Sequence, residues 1–312
     1  MENWRNFLEL WDITVVSLEN MNYKELYNFA YNFLLSKERV TDELIIRHLV
    51  SEYQKPNNIN TIYKQLFASA QNRQMSNKVI GQSIGGIEKL KTVLFDFNPK
   101  QVANTYSKTD KERLLKIIIK ELKPKGEIRK TNRSLRPQFC QSVIDSAHFL
   151  QEFKETKDFY KWADFFANDL RAKPALPLMI SIEITGIGFP LACDFLKELG
   201  YVQYGKPDVH LKEIFKELNL IDPKEKSTIK QDYQTLKLID QIAKENNITP
   251  FEVDKIFWLI GSGNFYLSEI NIGRNRNEFI EKVKSTYPQQ LGKIIRRSFN
   301  KQFLTSLSII LY

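Results

Sequence analysis

Apolar side chains recur at helical spacing through most of this sequence, and residues that break helices are scarce. Residues 59–70 place apolar side chains at the i, i+3, i+4, i+7, i+8 and i+11 positions of an amphipathic helix. Residues 22–25 and 249–252 match capping boxes, and the second box predicts a helix that stops near Gly261 and Gly263. Only 12 glycines and 11 prolines occur in 312 residues. The sequence therefore predicts an all-α fold.

The composition excludes a disordered chain, and the net charge indicates the kind of molecule that the protein binds. Apolar residues make up 42% of the chain and aromatic residues 12%, which excludes disorder over most of its length. The 46 lysines and arginines exceed the 37 acidic residues and give a net charge of +9. Such an excess suits a polyanionic partner, either nucleic acid or an acidic membrane surface.

The few cysteines and histidines exclude several kinds of site. Two cysteines cannot form a disulfide framework or a four-thiolate iron–sulfur cluster. The three histidines are not at metal-ligand spacing, so we expect no histidine-based metal centre. The N-terminus lacks a signal pattern, and no apolar stretch approaches the ~20 residues of a membrane span. We expect a soluble, cytoplasmic protein, nucleoid-associated if it is bacterial, that does not act on a membrane.

Two segments are strongly basic. Residues 123–136 hold six basic side chains and one acidic one, and Pro124, Gly126 and Pro137 should break any helix there. We interpret this segment as a basic loop that is either solvated or in contact with phosphate. Residues 293–303 match a basic amphipathic helix, for which an ordinary surface helix is the simpler interpretation.

The most informative segment is residues 181–211. An apolar helix from 176 to 184 meets the tight turn that contains Gly186 and Gly188, and a second helix is expected from Pro190 to Gly200. Glycines one residue apart allow the chain to turn sharply with its amides exposed. Those amides and the following helix N-terminus can receive a DNA phosphate. A purely structural turn is the alternative, because this turn is common between helices.

Asp208 lies 20 residues after Gly188, and the two features together resemble a known family. The segment is similar to the helix-hairpin-helix DNA glycosylase superfamily, which includes endonuclease III, adenine glycosylase and 8-oxoguanine glycosylase. The family's glycine hairpin, alanine and Val-Asp-x-His-like element correspond without a gap to residues 184–188, Ala192 and residues 207–210. The Asp-Val-His triplet is most similar to the 8-oxoguanine branch, although the iron–sulfur cluster of some members is absent.

An upstream element adds a second resemblance. Residues 68–75 are similar to the Ser-Ala-Gln or Ser-x-Asn-Asn element of the same superfamily, in which a side chain fills the gap left by an extruded base. The resemblance assigns this role to Gln71 and Asn72. The alternative is that both are ordinary polar residues at the end of a helix.

The resemblance implies a set of site residues. Asp208 would stabilise the cationic sugar or activate water when the N-glycosidic bond breaks, and it would also cap a helix. Thr185, Gly186, Gly188 and His210 would bind DNA phosphate, with a helix-surface histidine as the alternative for His210. No cofactor is implied, apart from a structural monovalent cation that the hairpin of this family can hold.

One departure from the family bears on the reaction. Members that also nick the strand carry a lysine two residues after the second hairpin glycine, where it forms a Schiff base with the sugar. Pro190 occupies that position here. Lys206 is the nearest substitute as a lyase lysine. We therefore expect a monofunctional glycosylase with weak or no lyase activity.

Three further residues are candidates for a base pocket. Trp258 and Phe265 belong to an aromatic cluster near two glycines and could stack on an extruded base, whereas Cys193 lies on the second hairpin helix. Packing in a hydrophobic core is the alternative for all three.

These expectations combine into one architecture and function. Residues 60–185 should form a central helical lobe, residues 1–59 and 212–312 a second lobe, and residues 176–211 the hairpin and aspartate at the junction. The predicted protein is a monomeric base-excision DNA glycosylase acting on double-stranded DNA with a damaged or modified base. A non-catalytic DNA-binding protein and a glycosylase directed at foreign DNA are alternatives. The Asp-Val-His motif favours oxidised purines as substrates, whereas the missing lysine argues against them. Alkylated or otherwise modified purines therefore rank slightly ahead as the expected substrates.

Overall fold

The computed structural model describes residues 22–72, 79–129, 131 and 133–287, and this part of the chain is almost entirely helical. A two-stranded antiparallel ladder pairs β1 (Asn264–Phe265) with β2 (Ile270–Asn271). Short 3-10 helices cover Gln82–Ile84, Ile87–Thr92 and Phe95–Phe97. The all-α prediction is confirmed. The α-helices are α1 (Tyr23–Leu35), α2 (Asp42–Leu49), α3 (Ile59–Gln71), α4 (Pro99–Thr105), α5 (Lys111–Leu122), α6 (Leu135–Leu150), α7 (Thr156–Ala167), α8 (Ala175–Glu183), α9 (Phe189–Glu198), α10 (Val209–Glu217), α11 (Thr228–Asn246), α12 (Pro250–Ser262) and α13 (Arg276–Thr286).

Both predicted capping boxes form. The Asn22 side chain accepts a hydrogen bond from the Glu25 amide at 2.8 Å, and the Thr249 hydroxyl accepts one from the Glu252 amide at 3.3 Å. In each box the glutamate accepts from the capping residue in return. Helix α12 ends where its glycines predict, because Gly263 adopts the left-handed conformation at φ 71°.

Buried side chains form two hydrophobic cores. The first core contains buried residues between 62 and 204 together with Leu236. The second core contains buried residues from 23–45 and 211–283. Helices α3, α6, α8 and α9 pack within the first core, and α1, α10, α12 and α13 pack within the second. The proposed lobe boundaries stay a prediction.

The loop between α9 and α10 connects the two cores. Tyr204 is fully buried in the first core and donates from its hydroxyl to the Lys173 carbonyl at 3.0 Å, whereas Leu211 is fully buried in the second. A Cβ on Gly205 would lie 2.7 Å from the Ile239 side chain and 3.0 Å from the Pro250 carbonyl oxygen. Only glycine therefore lets this loop pass so close to α11 and α12.

The basic loop differs from its prediction at its C-terminal end. Arg136 and Pro137 lie in the first turn of α6, because proline there needs no intrahelical hydrogen bond from its nitrogen. The Arg136 side chain is buried and donates to the Glu127 and Lys125 carbonyls, so it organises the loop instead of facing phosphate. Lys130 and residues 293–303 lie outside the described residues. Among the helices that are described, none is long and apolar enough to cross a membrane.

Candidate active site

The glycine hairpin forms between α8 and α9. Gly186 has a φ of 88°, and Gly188 is the exposed N-cap of α9. Helix α6 anchors the turn, because Asp145 accepts a hydrogen bond from the Thr185 amide at 3.0 Å and Ser142 donates to the Thr185 carbonyl. Within the described part of the chain, the amides of Gly186 and Gly188 donate to no other group. The two glycine amides, and not that of Thr185, are available to an anion.

Asp208 occupies the N-cap of α10. Its Oδ1 accepts hydrogen bonds from the amides of His210 at 2.9 Å and Leu211 at 3.3 Å. The capping role is therefore confirmed, and it fixes one carboxylate oxygen. Burial, and then the nearby charge of Asp254, raise the pKa of the Asp208 carboxyl, while Lys206 opposes the shift.

A cleft of about 730 Å³ lies between residues of the two cores. It brings together five residues singled out from the sequence: Asn72, Pro190, Lys206, Asp208 and His210. The remaining lining residues are Leu191, Val209, Glu213, Gly261, Arg274, Arg276 and Asn277. Asp208 thus lies on the wall of a space large enough to admit a nucleotide.

His210 lines this cleft beside Asp208. Burial lowers the pKa of its imidazole, and the charges of Arg274 and Arg276 lower it further, while Asp208 acts in the opposite direction. The lowered pKa favours the neutral ring over the imidazolium. A neutral imidazole can still donate one hydrogen bond to a phosphate oxygen.

Lys206 forms an ion pair with Asp194 and not with Asp208. Its ammonium nitrogen lies 2.7 Å from Asp194 Oδ2. Burial opposes the charged form, but the Asp194 carboxylate outweighs it and raises the pKa of Lys206. A nucleophilic lysine must be neutral, so this ion pair disfavours Lys206 in that role. Pro190, at the first turn of α9, also lines the cleft and has no amine.

The two candidate plug residues differ in position. Asn72 is exposed, follows the last residue of α3 and lines the cleft. Gln71 is half-buried and does not line it. Residues 73–78, which include the rest of this sequence element, lie outside the described residues. The position of Asn72 therefore fits a plug better than that of Gln71.

The predicted base-pocket residues do not line the cleft. Phe265 is fully buried in the second core, where its ring packs edge-on against His48 at 5.3 Å. Cys193 is fully buried in the first core, and burial raises the pKa of its thiol well above its usual range. Trp258 packs against Tyr266 at 5.7 Å. These positions agree with the packing alternative. Helix α12 presents Gly261, not Trp258, to the cleft, whereas Phe265 lies on β1 and Cys193 on α9.

Sequence reasoning missed the cationic wall of the cleft. Arg276 forms an ion pair with Glu213. Arg274 has no ion-pair partner among the described residues, and its charge acts on His210. Both arginines come from the short segment after β2 that reads Gly-Arg-Asn-Arg-Asn. This local concentration of basic and amide side chains was the available signal.

No group of three or more potential metal ligands among His, Cys, Asp and Glu occurs in the described part of the chain. The resemblance allows one further ion, a structural monovalent cation at the hairpin. It stays a prediction.

Comparisons with known proteins agree with the motifs. No protein-family model matches the sequence. Over 141 residues, 45% of this chain, the sequence is 26% identical to the 8-oxoguanine DNA glycosylase/AP lyase of Methanocaldococcus jannaschii. The match spans 65% of that protein's length. The similarity supports the resemblance to glycosylases that the hairpin and Asp208 indicated.

A solved structure is also similar to this chain. It is the crystal structure of Methanocaldococcus jannaschii 8-oxoguanine glycosylase/lyase in complex with 15mer DNA containing 8-oxoguanine. The alignment covers 77% of this chain and 99% of that one, with a TM-score of 0.48 and 18% sequence identity.

Proposed function

We propose that this protein is a DNA glycosylase of base excision repair, which hydrolyses the N-glycosidic bond of a damaged base with Asp208. The observation that carries the proposal is the position of Asp208 at the wall of the cleft. Its Oδ1 is fixed by two amides of α10, whereas Oδ2 accepts no hydrogen bond from any described residue. An oriented carboxylate with one free oxygen suits the stabilisation of positive charge on the sugar or the deprotonation of water.

The surroundings of Asp208 suit this chemistry. Asp208 is half-buried, so less water screens the developing charge than at an exposed carboxylate, and the carboxylate acts more strongly on it. The raised pKa of Asp208 also makes it a stronger base than an exposed aspartate. Both effects favour the transition state, in which the sugar is cationic, over the neutral ground state.

Groups that can grip DNA lie in the cleft and at the start of α9. The amides of Gly186 and Gly188 precede α9, whose N-terminus favours negative charge and whose Pro190 lines the cleft. His210 and Arg274 line the cleft as well. Phosphates of one strand can therefore be held from both sides of the cleft, while Asn72 occupies the place of an extruded base.

We further propose that the reaction is hydrolytic, without efficient strand cleavage. Pro190 replaces the nucleophilic lysine of lyase relatives, and Lys206 is held by Asp194. The matched relative is an AP lyase by name, so this chain would differ from it in the second step. Because that relative is named for 8-oxoguanine, this base is the first substrate to test, with alkylated purines second.

The test is release of a free base. Duplexes that contain one 8-oxoguanine, one alkylated purine or one deaminated base would be incubated with the protein and with Asp208→Asn, and released bases identified by mass spectrometry. Asparagine is also a favoured N-cap, so the variant should keep α10 and DNA binding. Release by the wild type and its loss in the variant are expected. Salt-sensitive binding without release from any duplex would favour the non-catalytic DNA-binding alternative.

A further inference from the structure

Buried Asp254 and partly buried Asp194 hold the loop that carries Asp208. Asp254 Oδ2 on α12 accepts a hydrogen bond from the Lys206 amide at 3.1 Å. Asp194 Oδ2 on α9 binds the Lys206 ammonium nitrogen at 2.7 Å. The Lys206 carbonyl in turn accepts from the Asp208 amide at 2.8 Å. The residue two before Asp208 is thus held at both its backbone and its side chain.

Lys197 connects the two aspartates. Its ammonium nitrogen lies 2.5 Å from Asp254 Oδ2 and 3.1 Å from Asp194 Oδ1. The side chains of Lys197 and Asp254 are 5% and 2% exposed, so water screens this network little. Because Lys197 and Asp194 lie on α9 and Asp254 lies on α12, the network links helices from the two cores, and Lys206 connects it to the cleft.

The charges of this network balance without Asp208. In its ion pairs, two ammonium groups, on Lys197 and Lys206, face two carboxylates, on Asp194 and Asp254. Lys255 and Glu198 add one basic and one acidic group that act on side chains of this network. The lysine nearest to Asp208 in sequence is therefore already paired. Within the described residues, Asp208 forms no ion pair of its own. Such an arrangement leaves a half-buried carboxylate that lines the cleft without an ion-pair partner of its own.

We propose that Asp194 and Asp254 are positioning residues that hold Lys206 away from Asp208, so that the Asp208 carboxylate meets the cationic sugar without a competing counter-ion. This inference rests on the function proposed above. Released from Asp194, the Lys206 ammonium would pair with Asp208, and that pair would stabilise the ground state at the expense of the transition state.

The groups that face Asp208 come from three elements. Asp254 approaches from α12, Lys206 from the preceding loop and His210 from α10, and burial and Asp254 are the two largest influences on the carboxyl. Loss of the Asp254 charge should lower the pKa of Asp208. Release of Lys206 from Asp194 should also lower the pKa of Asp208, because a nearby cation favours the ionised form of the carboxyl.

The experiment measures rate and titration separately. Single-turnover base release from a duplex with one 8-oxoguanine would be followed against pH for the wild type, Asp194→Asn and Asp254→Asn. We expect the acid limb of the profile to move to lower pH in both variants. In Asp194→Asn the plateau rate should fall about tenfold, and Lys206→Gln added to that variant should restore it.

Asp240→Asn is the matched control. Asp240 forms another buried ion pair, with Lys173, that does not line the cleft. Its loss should lower thermal stability without moving the acid limb. An unchanged limb in both test variants, or an equal shift in the control, would overturn the proposal. Should Asp254→Asn fail to fold, Asp194→Asn with and without Lys206→Gln decides the question.

A second readout does not depend on catalysis. The Asp208 carboxyl carbon would be followed by NMR titration of aspartate-labelled protein, with the signal assigned by its loss in Asp208→Asn. A lower midpoint in Asp194→Asn and Asp254→Asn, but not in Asp240→Asn, supports the positioning role even if no base is released. Absence of base release with these shifts present would reject the proposed function alone. Equal midpoints in all variants would reject the positioning role.

Discussion

A Cβ atom on Gly261 would lie 2.5 Å from the Cβ of His210, so the glycine is what allows α12 to pass this close to α10. The added Cβ atom would also lie 2.8 Å from Cγ of the His210 imidazole. Because real Cβ atoms do not approach so closely, His210 keeps its place in the cleft only beside a glycine.

Gly261→Ala should therefore displace His210 and weaken DNA binding. Overpacking of this kind costs ~1–3 kcal/mol, which would appear as a lower melting temperature. Binding to an abasic-analogue duplex would be measured for Gly261→Ala, His210→Ala and the double variant. If the glycine acts through His210, the losses of affinity should not add. Additive losses would show that the two residues act independently.

Arg274→Ala should weaken DNA binding and reduce its salt dependence. A phosphate contact contributes ~0.9 to the slope of log affinity against log salt concentration, so loss of one contact should lower the slope by about that amount. Arg276→Ala is the matched comparison, because Glu213 already neutralises that arginine. Equal slopes for Arg274→Ala and the wild type would show that Arg274 does not contact a DNA phosphate.

Asn72→Ala should slow base release more than Gln71→Ala. A plug stabilises the extruded state, whose formation costs a few kcal/mol in lost pairing and stacking. Of these two residues, only Asn72 lines the cleft. Single-turnover release and the fluorescence of 2-aminopurine beside the lesion would be measured for both variants. A larger defect in Gln71→Ala would assign the plug to that residue instead.

Pro190→Lys should introduce strand cleavage. It places an amine at the position of the nucleophilic lysine in lyase relatives, at the mouth of the same cleft. Loss of proline from the first turn should cost only ~0.4–1 kcal/mol. Borohydride trapping on an 8-oxoguanine duplex would be compared for wild type, Pro190→Lys and Lys206→Ala. High-yield trapping by the wild type, lost in Lys206→Ala, would contradict the monofunctional prediction.

Glu198 should make stability depend on pH. Burial, and then the charge of Asp194, raise its pKa from 4.5 to about 7, and Ser69 donates to it at 3.1 Å. The folded state thus holds this proton more tightly than the unfolded chain. Its contribution to the free energy of unfolding is full below pH 4.5 and is lost as the pH rises to about 7.

Urea unfolding of wild type and Glu198→Gln across this pH range would test the prediction. The variant should lose less stability between acid and neutral pH than the wild type does. Glu183→Gln, at the exposed end of α8, is the control and should follow the wild type. The same loss in all three proteins would exclude Glu198 as the source.

Local features of the sequence predicted local structure well. The capping boxes at Asn22 and Thr249 form because each depends on residues three apart. The hairpin at Gly186 and Gly188 and the N-cap at Asp208 likewise need only short-range geometry. The prediction that Pro137 breaks a helix was wrong, because the effect of a proline depends on its position in the helix, which composition does not reveal.

The prediction of site residues also depended on whether a residue belongs to a short sequence motif. Asp208, His210 and Asn72 were found because each belongs to a short motif, and all three line the cleft. Aromatic composition did not specify whether Trp258 on α12 and Phe265 on β1 meet the cleft or the core, and neither lines the cleft. Arg274 was missed because it is distant in sequence from every motif.

Local sequence is enough to specify a helical chain, the position of the hairpin turn and the carboxylate that caps α10. Packing of the helices is needed to specify which side chains share the cleft and that Lys206 pairs with Asp194 instead of Asp208. Helix propensity and capping act over one or two turns, so they can be read along the chain. Ion pairing and burial depend on helices brought together from distant positions, and they follow only from the packed fold.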